Sequence, residues 1–331
     1  MLRPDPLEGT TMNHYEMLRA VSRTFALSIE KLPPVLREAV TIAYLLFRIS
    51  DCIEDHATIS PDRKAQLLRL WGDILKGTTP AGNLTAELED LDSTDPEVYV
   101  ARHADRVMEY LKDQPQQLRE IISTHAHDTA EGMARWQEQG PIIKTEEEMD
   151  DYMHQVAGRV GYLVTDIFSW YSPGVREKRE ALIPLGREFG LGLQTVNIIR
   201  GLRKDYERGW VFVPLTFLKS QGLSHDSFFK SSSRPQALAV IDLLIEKANR
   251  HLNGGLTYIT LLPRNDRHIR LSCIWPLLFA VKTLALSRNN HNVLESETKM
   301  TRNQVKNIVL ISSTLFWSNS ALTTYYHYLE N

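Results

Sequence analysis

Helical hydrophobic periodicity dominates this chain of 331 residues, and it is the feature that most limits the fold. Gly and Pro, which interrupt helices, number only 17 and 15. No stretch shows the sustained alternation of apolar and polar residues, bounded by hairpin turns, that predicts β-strands. The periodicity predicts helices over 12–30, 34–57, 61–76, 97–112, 115–138, 146–171, 176–206, 234–262, 267–288 and 301–329.

The chain shows no internal repeat, no low-complexity tract and no clear linker. Its breaks are marked by turn residues, as in "KGTTPAGN", "SPG" and "SQGLSHDS". The sequence therefore predicts one all-α domain over residues 1–331, with residues 1–12 expected to be flexible. A site in such a bundle is expected between facing helices.

The composition excludes several functional classes. The formal net charge is -3, whereas a nucleic-acid-binding domain normally carries a basic excess. The two cysteines, Cys52 and Cys273, lie in no metal-ligand spacing, so neither a zinc site nor a disulfide framework is predicted. No signal peptide and no uninterrupted apolar span is found, so a cytoplasmic location is expected. The segment 307–322 is read as a packed helix, with a peripheral membrane contact as the open alternative.

The first candidate site follows the apolar run "AVTIAYLLF" in "RISDCIEDH", residues 48–56. Asp51, Glu54 and Asp55 share one helical face, because they are spaced at i, i+3 and i+4. Their repulsion must be offset by solvent, by basic partners such as Arg48, or by a metal. A solvated helix end explains the spacing alone. The apolar run before it favours a Mg²⁺ site, because Mg²⁺ binds one or two carboxylates together with substrate phosphates.

The second candidate site is a polar stripe in "LQTVNIIRGLRKDYERGWVFVP", residues 193–214. Gln194, Asn197, Gly201 and Asp205 follow at steps of three, four and four. Buried amides need hydrogen-bond partners, so Gln194 and Asn197 are expected to have them. Arg200, Arg203 and Lys204 stand beside the stripe, and the Arg fork suits phosphate oxygens. An ordinary amphipathic helix with cations near its C-terminus is the alternative.

Five blocks in order resemble the squalene and phytoene synthases, the head-to-head trans-prenyltransferases, and most of all the squalene synthase branch. The likeness covers roughly 20 to 310 and rests on "VSRTFALSIEKLP", "AYLLFRISDCIED", "YMHQVAGRVGYLVTDIF", "LQTVNIIRGLRKDYERGWVFVP" and "KMTRNQ". The resemblance implies an all-α isoprenoid-synthase bundle with a central substrate cavity. It also implies that the two polar groups face each other across one apolar tunnel.

The resemblance further implies residue roles. Mg²⁺ would be held by Asp51, Glu54, Asp55, Asn197 and Asp205. The prenyl diphosphates would meet Arg23, Phe25, Tyr44, Arg48, Gln194, Asn197 and Arg200. The catalytic set would be Tyr152, which assists proton transfer, with Asp51, Asp55 and Asp205. Lys299 and Arg302 match basic positions near NADPH, although solvated charges at a helix start explain them equally well. Gly158 and Gly161 leave room either for close helix packing or for a prenyl chain.

The implied activity is the condensation of two farnesyl diphosphates to presqualene diphosphate and onward to squalene, with Mg²⁺ and NADPH. Three other outcomes stay open: a phytoene- or dehydrosqualene-type synthase, an enzyme that stops at presqualene diphosphate, and a catalytically lapsed binding or assembly protein. Gly201 keeps these open, because the family usually has Asp there, and Trp210 replaces an Arg found in many squalene synthases. A monomer and a homodimer are both compatible with the sequence.

Overall fold

The computed structural model describes residues 12–330, except for the side chain of Arg23. Within this part of the chain there is no β-strand, only an isolated bridge between Ile142 and Val211. The all-α prediction is therefore confirmed. The expected flexibility of residues 1–12 falls, apart from Met12, outside the described residues. The chain divides into two compact units, Met1–Glu138 (unit 1) and Gln139–Asn331 (unit 2), and the single-domain organisation stays a prediction.

Unit 1 is built around one long apolar helix. Its helices are α1 (His14–Val21), α2 (Arg23–Ile29), α3 (Pro34–Asp55), α4 (Pro61–Leu75), α5 (Gly82–Glu87), α6 (Pro96–Arg102), α7 (Ala104–Lys112) and α8 (Gln116–Gln139). Pro34 starts α3 at the first helical position, where its missing N–H is no loss. Leu45, Leu46 and Ile49 of α3 are fully buried, and α3 packs against α1, α4, α6 and α7. The apolar run thus forms the core of unit 1 and fixes the position of the acids at its end.

Unit 2 is built around α12. Its helices are α9 (Glu146–Met153), α10 (Arg159–Tyr171), α11 (Pro173–Arg176), α12 (Arg179–Glu207), α13 (Leu215–Ser220), α14 (His225–Phe228), α15 (Arg234–Leu261), α16 (Arg267–Ser287), α17 (Arg302–Leu315) and α18 (Asn319–Glu330). A π-helical turn, His154–Gly158, joins α9 to α10 without a break. Helix α12 packs against α10, α15 and α16, so its polar stripe is carried by the most surrounded helix of the unit.

Four glycines let α12 lie unusually close to α10 and to the π-helical turn His154–Gly158. A Cβ on Gly161 would stand 2.0 Å from the carbonyl oxygen of Gly186, and one on Gly190 would stand 2.3 Å from that of Ala157. At Gly158 a Cβ would meet the side chains of His154 and Leu191. Backbone atoms cannot move aside as a flexible side chain can. Close helix packing, one of the two explanations offered for Gly158 and Gly161, is therefore what the structure has at these positions.

A buried network of charged side chains joins α9, α12 and α15. Lys247, whose side chain is only 1% exposed, lies 2.5 Å from Asp150 Oδ1 and 3.0 Å from Glu146 Oε1. His251 Nδ1 is 2.6 Å from Glu188 Oε2, and its Nε2 is 3.5 Å from Asp150. Burial lowers the pKa of His251, but the contacts with Asp150 and Glu188 outweigh it, so this pKa is raised. Burial raises the pKa of Asp150, yet His251 and Lys247 bring it below its usual value.

Replacement of His251 by Gln is expected to remove a pH dependence of stability. A raised histidine pKa stabilises the fold fully below the ordinary value of 6.5, and this contribution is lost as pH rises through the higher pKa of the folded state. The melting temperature of the native chain should therefore fall more than that of His251→Gln between pH 6 and pH 8. His291→Gln, at an exposed histidine, is the matched control for thermal denaturation. Parallel curves for native chain and His251→Gln would contradict the assignment.

The predicted helices are present, but three are interrupted. The segment 12–30 is divided at Ser22, whose backbone is extended (φ -149°, ψ 112°) and whose hydroxyl accepts from Phe25 N at 3.2 Å. Ser22 ends α1 and caps α2, which explains why a helix-capping residue lies in the middle of the predicted helix 12–30. The segments 97–112 and 301–329 are likewise divided, at His103 and at residues 316–318. The short helices α5, α13 and α14 were not predicted, because they span too few turns to show periodicity.

Helix α16 is long and apolar enough, by length and composition, to cross a membrane. However, 78% of its apolar window is buried inside the protein, as in the core helix of a globular domain. This helix is accordingly weak evidence for a membrane span.

Candidate active site

Unit 1 brings four of the predicted site residues onto one face of α3. Tyr44, Arg48, Asp51 and Asp55 follow at steps of four, three and four. Arg48 Nη2 donates to Tyr44 Oη at 2.6 Å, and the guanidinium carbon lies 5.4 Å from the Tyr44 ring centre. Arg48 Nη1 lies 3.5 Å from Asp51 Oδ2. The face thus runs from an aromatic ring through a cation to two carboxylates.

The surroundings of Asp51 raise the pKa of its carboxyl group. Its side chain is 35% exposed, and burial raises its pKa to about 6, with Asp55 and Glu97 adding to the rise and Arg48 opposing it. Three acids around one arginine leave negative charge that is not fully compensated. A cation bound here would relieve the repulsion and would favour the ionised form of Asp51.

Glu97 is a member of this group that the sequence did not indicate. It lies in the first turn of α6, where Asp95 caps the helix, and its Oε1 is 3.3 Å from Arg48 Nη1. Nothing in its local pattern distinguishes it from an ordinary acid at a helix start. Only the packing of α6 against α3 brings it to Arg48.

Glu54 is the most buried of the three acids at the end of α3. Glu54 is buried, its carboxylate accepts from Gln137 Nε2 at 3.4 Å, and its backbone carbonyl accepts from Lys64 Nζ at 2.6 Å. Lys64 and Gln137 are themselves buried, so this end of α3 is fixed to α4 and α8. The supporting metal role predicted for Glu54 stays a prediction.

The residues after the Ser22 cap reach α3 through an aromatic contact. Phe25 packs against Tyr44 with ring centres 6.0 Å apart and ring planes at 42°. Phe25 and Tyr44 both border a small core formed by Leu18, Ala26 and Ile29. The structure therefore brings Phe25, Tyr44 and Arg48 together. The side chain of Arg23 lies outside the described part.

The polar stripe of α12 is present in unit 2. Asn197 Nδ2 donates to Gln194 Oε1 at 3.3 Å, so the two amides are partnered, although Asn197 is exposed and not buried as expected. Arg200 is ion-paired with Glu297, and Glu297 in turn lies 2.7 Å from Lys299 Nζ. The structure thus links Arg200 to Lys299 through one carboxylate, whereas Arg302 lies exposed at the start of α17.

Asp205, at the end of the stripe, has an arginine partner. Arg208 Nη2 lies 2.5 Å from Asp205 Oδ1, and both side chains are mostly buried. Trp210 N donates to the backbone carbonyl of Asp205 at 2.9 Å, and Gly209 between them has a φ of +83°. A positive φ favours glycine, so Gly209 is needed for the chain to turn back after α12. A Cβ on Gly201 would stand 3.0 Å from Asp205 Oδ2, so position 201 directly neighbours the carboxylate.

Tyr152 lies against two aromatic residues of the loop after α12. It is buried, stacks on Phe212 with ring centres 4.6 Å apart, and lies 6.5 Å from the Trp210 ring centre. Trp210 and Phe212 also stack on each other at 5.3 Å. The π-helical turn begins two residues after Tyr152, and such turns are frequent at functional sites. Phe212 was not predicted, because one aromatic residue in a buried run carries no signal.

Mg²⁺ prefers oxygen ligands such as carboxylates. Among residues 12–330 no three His, Cys, Asp or Glu side chains are gathered tightly enough to hold a metal by themselves. Asp51 and Asp55 lie one turn apart, and the pKa of Asp51 reflects the charge of Asp55. One or two carboxylates completed by substrate phosphates are what Mg²⁺ usually takes in proteins. Asp51 and Asp55 of α3 fit such an ion, whereas Asp205 of α12 is partnered by Arg208.

Comparisons with known proteins identify the family of this chain. A model of the squalene/phytoene synthase family matches residues 18–304. The squalene synthase of Eremothecium gossypii is 31% identical over 324 residues, which are 96% of this chain and 70% of that protein. A solved complex of TcSQS with the ligand E5700 is 25% identical, with a TM-score of 0.79 over 96% of this chain and 90% of that one. A dehydrosqualene synthase at 15% identity and a TM-score of 0.65, covering 95% of each chain, supports the fold alone.

The fold is therefore the all-α isoprenoid-synthase fold, and a chain with these motifs on it is a prenyltransferase. The chain belongs to the squalene/phytoene synthase family. The resemblance seen in the five sequence blocks is confirmed over the range expected for it.

Proposed function

We propose that this prenyltransferase joins two molecules of farnesyl diphosphate head to head, releasing diphosphate and a proton and forming presqualene diphosphate. With NADPH as hydride donor it then forms squalene, and the diphosphate of presqualene diphosphate is released. The observation that carries the proposal is the α3 face, where Asp51 and Asp55 follow Arg48 and Tyr44. Such a face supplies charge for a diphosphate at one end and aromatic surface for a prenyl chain at the other.

Magnesium would be held by Asp51 and Asp55, with Glu54 supporting them. Asn197 and Asp205 of α12 would supply the second set of ligands. When bound, the ion supplies Lewis-acid assistance to departure of the diphosphate. Arg48 and Arg200 would contact diphosphate oxygens directly, and Arg23 would add a third guanidinium. Gln194 would orient Asn197, to which it is hydrogen-bonded at 3.3 Å. Preorganised charge of this kind often provides much of the rate enhancement.

Tyr152 would handle the proton lost on formation of the cyclopropane ring. The aromatic faces of Phe212 and Trp210 next to it would stabilise the allylic cation, by roughly 0.5–2 kcal/mol for each well-placed ring. A dry pocket, shaped in part by Phe25 and Tyr44, would keep water from the cation. Lys299, linked through Glu297 to Arg200, and Arg302 would bind NADPH.

One set of incubations tests the proposed function. The chain is incubated with farnesyl or geranylgeranyl diphosphate and Mg²⁺, with and without NADPH, and the lipids are extracted and identified. Presqualene diphosphate without NADPH and squalene with it would support the proposal. Dehydrosqualene or phytoene in both arms would identify the proton-losing alternative, and presqualene diphosphate in both arms a truncated reaction. No product in any arm would favour the lapsed relative.

Replacement of Gly201 by Asp is expected to strengthen Mg²⁺ binding in the presence of inorganic diphosphate. The new carboxylate would lie beside Asp205, whose Oδ2 is 3.0 Å from the added Cβ. Without a cation the two acids repel, at about 0.2–0.5 kcal/mol for an i, i+4 pair. Thermal denaturation should therefore show a larger Mg²⁺-dependent rise in melting temperature for Gly201→Asp than for the native chain. Gly201→Ala controls for the added Cβ. An equal rise in all three would show that position 201 does not reach the ion.

A further inference from the structure

One carboxylate in unit 2 is shared by two cations that the proposed function assigns to different ligands. Glu297 is ion-paired with Arg200 of α12, and its Oε2 lies 2.7 Å from Lys299 Nζ. Burial raises the pKa of Glu297, but Lys299 and Arg200 together bring it below its ordinary value, so the carboxylate is ionised at neutral pH. Under the proposed function, each of these two cations also receives an anionic ligand, diphosphate at Arg200 and NADPH at Lys299.

Glu297 belongs to a short segment between two fixed ends. The 3₁₀ turn His291–Leu294, with two buried aliphatic side chains, packs against α12. At the other end Thr301 caps α17, because its hydroxyl accepts from Gln304 N at 3.2 Å. Residues 297–301 between these ends are not helical. The Glu297 side chain can therefore turn from one cation to the other while both ends of its segment stay in place.

The ion pair between Arg200 and Glu297 is open to exchange. The Arg200 side chain is 35% exposed and that of Glu297 is 40% exposed, so water reaches both. An ion pair that is accessible to water is weak, and a more highly charged anion can displace one of its members. A diphosphate carries more negative charge than one carboxylate, and the Arg fork binds phosphate oxygens as well as carboxylate oxygens. Glu297 and a diphosphate thus compete for the same guanidinium.

We propose that Glu297 is a positioning residue that competes with diphosphate for Arg200 and, once displaced, pairs with Lys299 alone. The inference rests on the proposed function, which assigns Arg200 to diphosphate, and adds that two ligand sites are linked through one carboxylate. While a diphosphate holds Arg200, Glu297 neutralises Lys299, so an anion that needs Lys299 binds more weakly. By linkage the effect is reciprocal. Departure of the diphosphate lets Arg200 share Glu297 again, which weakens the competition at Lys299 when NADPH binds.

Isothermal titration calorimetry of the full chain with inorganic diphosphate and Mg²⁺ tests the competition. Glu297→Gln keeps the size of the side chain and removes its charge, so it is expected to bind diphosphate roughly two- to fivefold more tightly than the native chain. Glu295→Gln is the matched control, because it removes the same charge from a nearby carboxylate that pairs with Arg234 instead. This control should bind diphosphate like the native chain.

A double-mutant cycle with Lys299→Gln tests whether the carboxylate is shared. In the native background Lys299→Gln should weaken diphosphate binding roughly two- to fivefold, because Glu297 is then left to Arg200 alone. In the Glu297→Gln background the same replacement should have a much smaller effect. An equal loss in both backgrounds would mean that Lys299 attracts diphosphate directly, and it would overturn the shared carboxylate.

Arg200→Gln separates this inference from the proposed function. Suppose that Arg200→Gln weakens diphosphate binding but Glu297→Gln binds it like the native chain. The assignment of Arg200 to diphosphate then stands and the competition is overturned. Unchanged binding by Arg200→Gln would overturn both. A lower melting temperature of Glu297→Gln with unchanged diphosphate affinity would assign the ion pair to holding its segment on α12, which also contradicts the proposal.

Discussion

Replacement of Asp51 by Asn is expected to lower turnover by roughly a hundred- to a thousandfold while leaving the melting temperature unchanged or slightly higher. The loss follows from the proposed role of Asp51 in holding the cation that meets the diphosphate. The amide is nearly the same size, so packing on α3 is preserved. The measurement is product formation from farnesyl diphosphate at saturating Mg²⁺, together with thermal denaturation.

The effect of Asp51→Asn on the stability of the fold is expected to depend on pH. The pKa of Asp51 in the folded chain, about 6, lies above its ordinary value of 3.8. An acid with a raised pKa destabilises the fold when ionised, so this cost is absent below pH 3.8 and complete above about pH 6. Asp51→Asn should therefore gain melting temperature relative to the native chain as pH rises across that window. Removal of an acid that simply supports the fold would have the opposite effect.

Asp73→Asn, at an exposed aspartate of α4, is the matched control for both measurements and should change neither. Unchanged turnover in Asp51→Asn would remove this residue from diphosphate binding. A fall of several degrees in its melting temperature would mean that the Asp51 carboxylate mainly serves as a structural partner of Arg48.

Replacement of Gly161 by Ala is expected to destabilise unit 2 severely, by roughly 3 kcal/mol or more, or to prevent folding. The added Cβ would stand 2.0 Å from the Gly186 carbonyl oxygen, which belongs to the backbone of α12. Overpacking typically costs about 1–3 kcal/mol even where side chains can move, and here two helices would have to separate. Circular dichroism and thermal denaturation measure the effect, and soluble yield reports outright failure to fold.

Gly82→Ala is the control for the chemical change itself. Gly82 begins α5, and nothing lies within 4 Å of a Cβ built on it. Replacing a helical glycine at an open position stabilises by about 0.4–1 kcal/mol, so this variant should melt at the same temperature or higher. A stable Gly161→Ala variant with an altered product pattern would instead mean that the space at Gly161 accommodates a prenyl chain.

Much of the fold could be predicted from sequence, because apolar residues recur every 3.6 residues along a long helix and this recurrence is easy to recognise. The boundaries of α3 and α12 differ from the predicted ends by a few residues only. The division at Ser22 was missed, although a serine inside a helical pattern is a capping signal. Short helices such as α13 were missed because six residues cannot show a period of 3.6.

The candidate site could be predicted only where its residues share a helix. The spacing of Asp51 and Asp55, and of Gln194 and Asn197, is enough by itself to place each pair on one helical face. Glu97 reaches Arg48 by helix packing, and no sequence rule anticipates that contact. For Gly158 and Gly161 the sequence showed that room was needed but not what would occupy it. The answer depends on Gly186 and Gly190, which lie on another helix.

The π-helical turn His154–Gly158 has a consequence for the length of this segment. A π turn carries one residue more than the α-helical turn that it replaces, so the helix from α9 to α10 contains an insertion without a loop. Regular α-helical winding of the same residues, without the wider turn, would rotate one half of the helix by about 100° relative to the other. Either Tyr152 would leave Phe212 or Gly161 would leave Gly186. The extra residue in the π turn thus keeps both the Tyr152–Phe212 stacking and the Gly161–Gly186 contact in place.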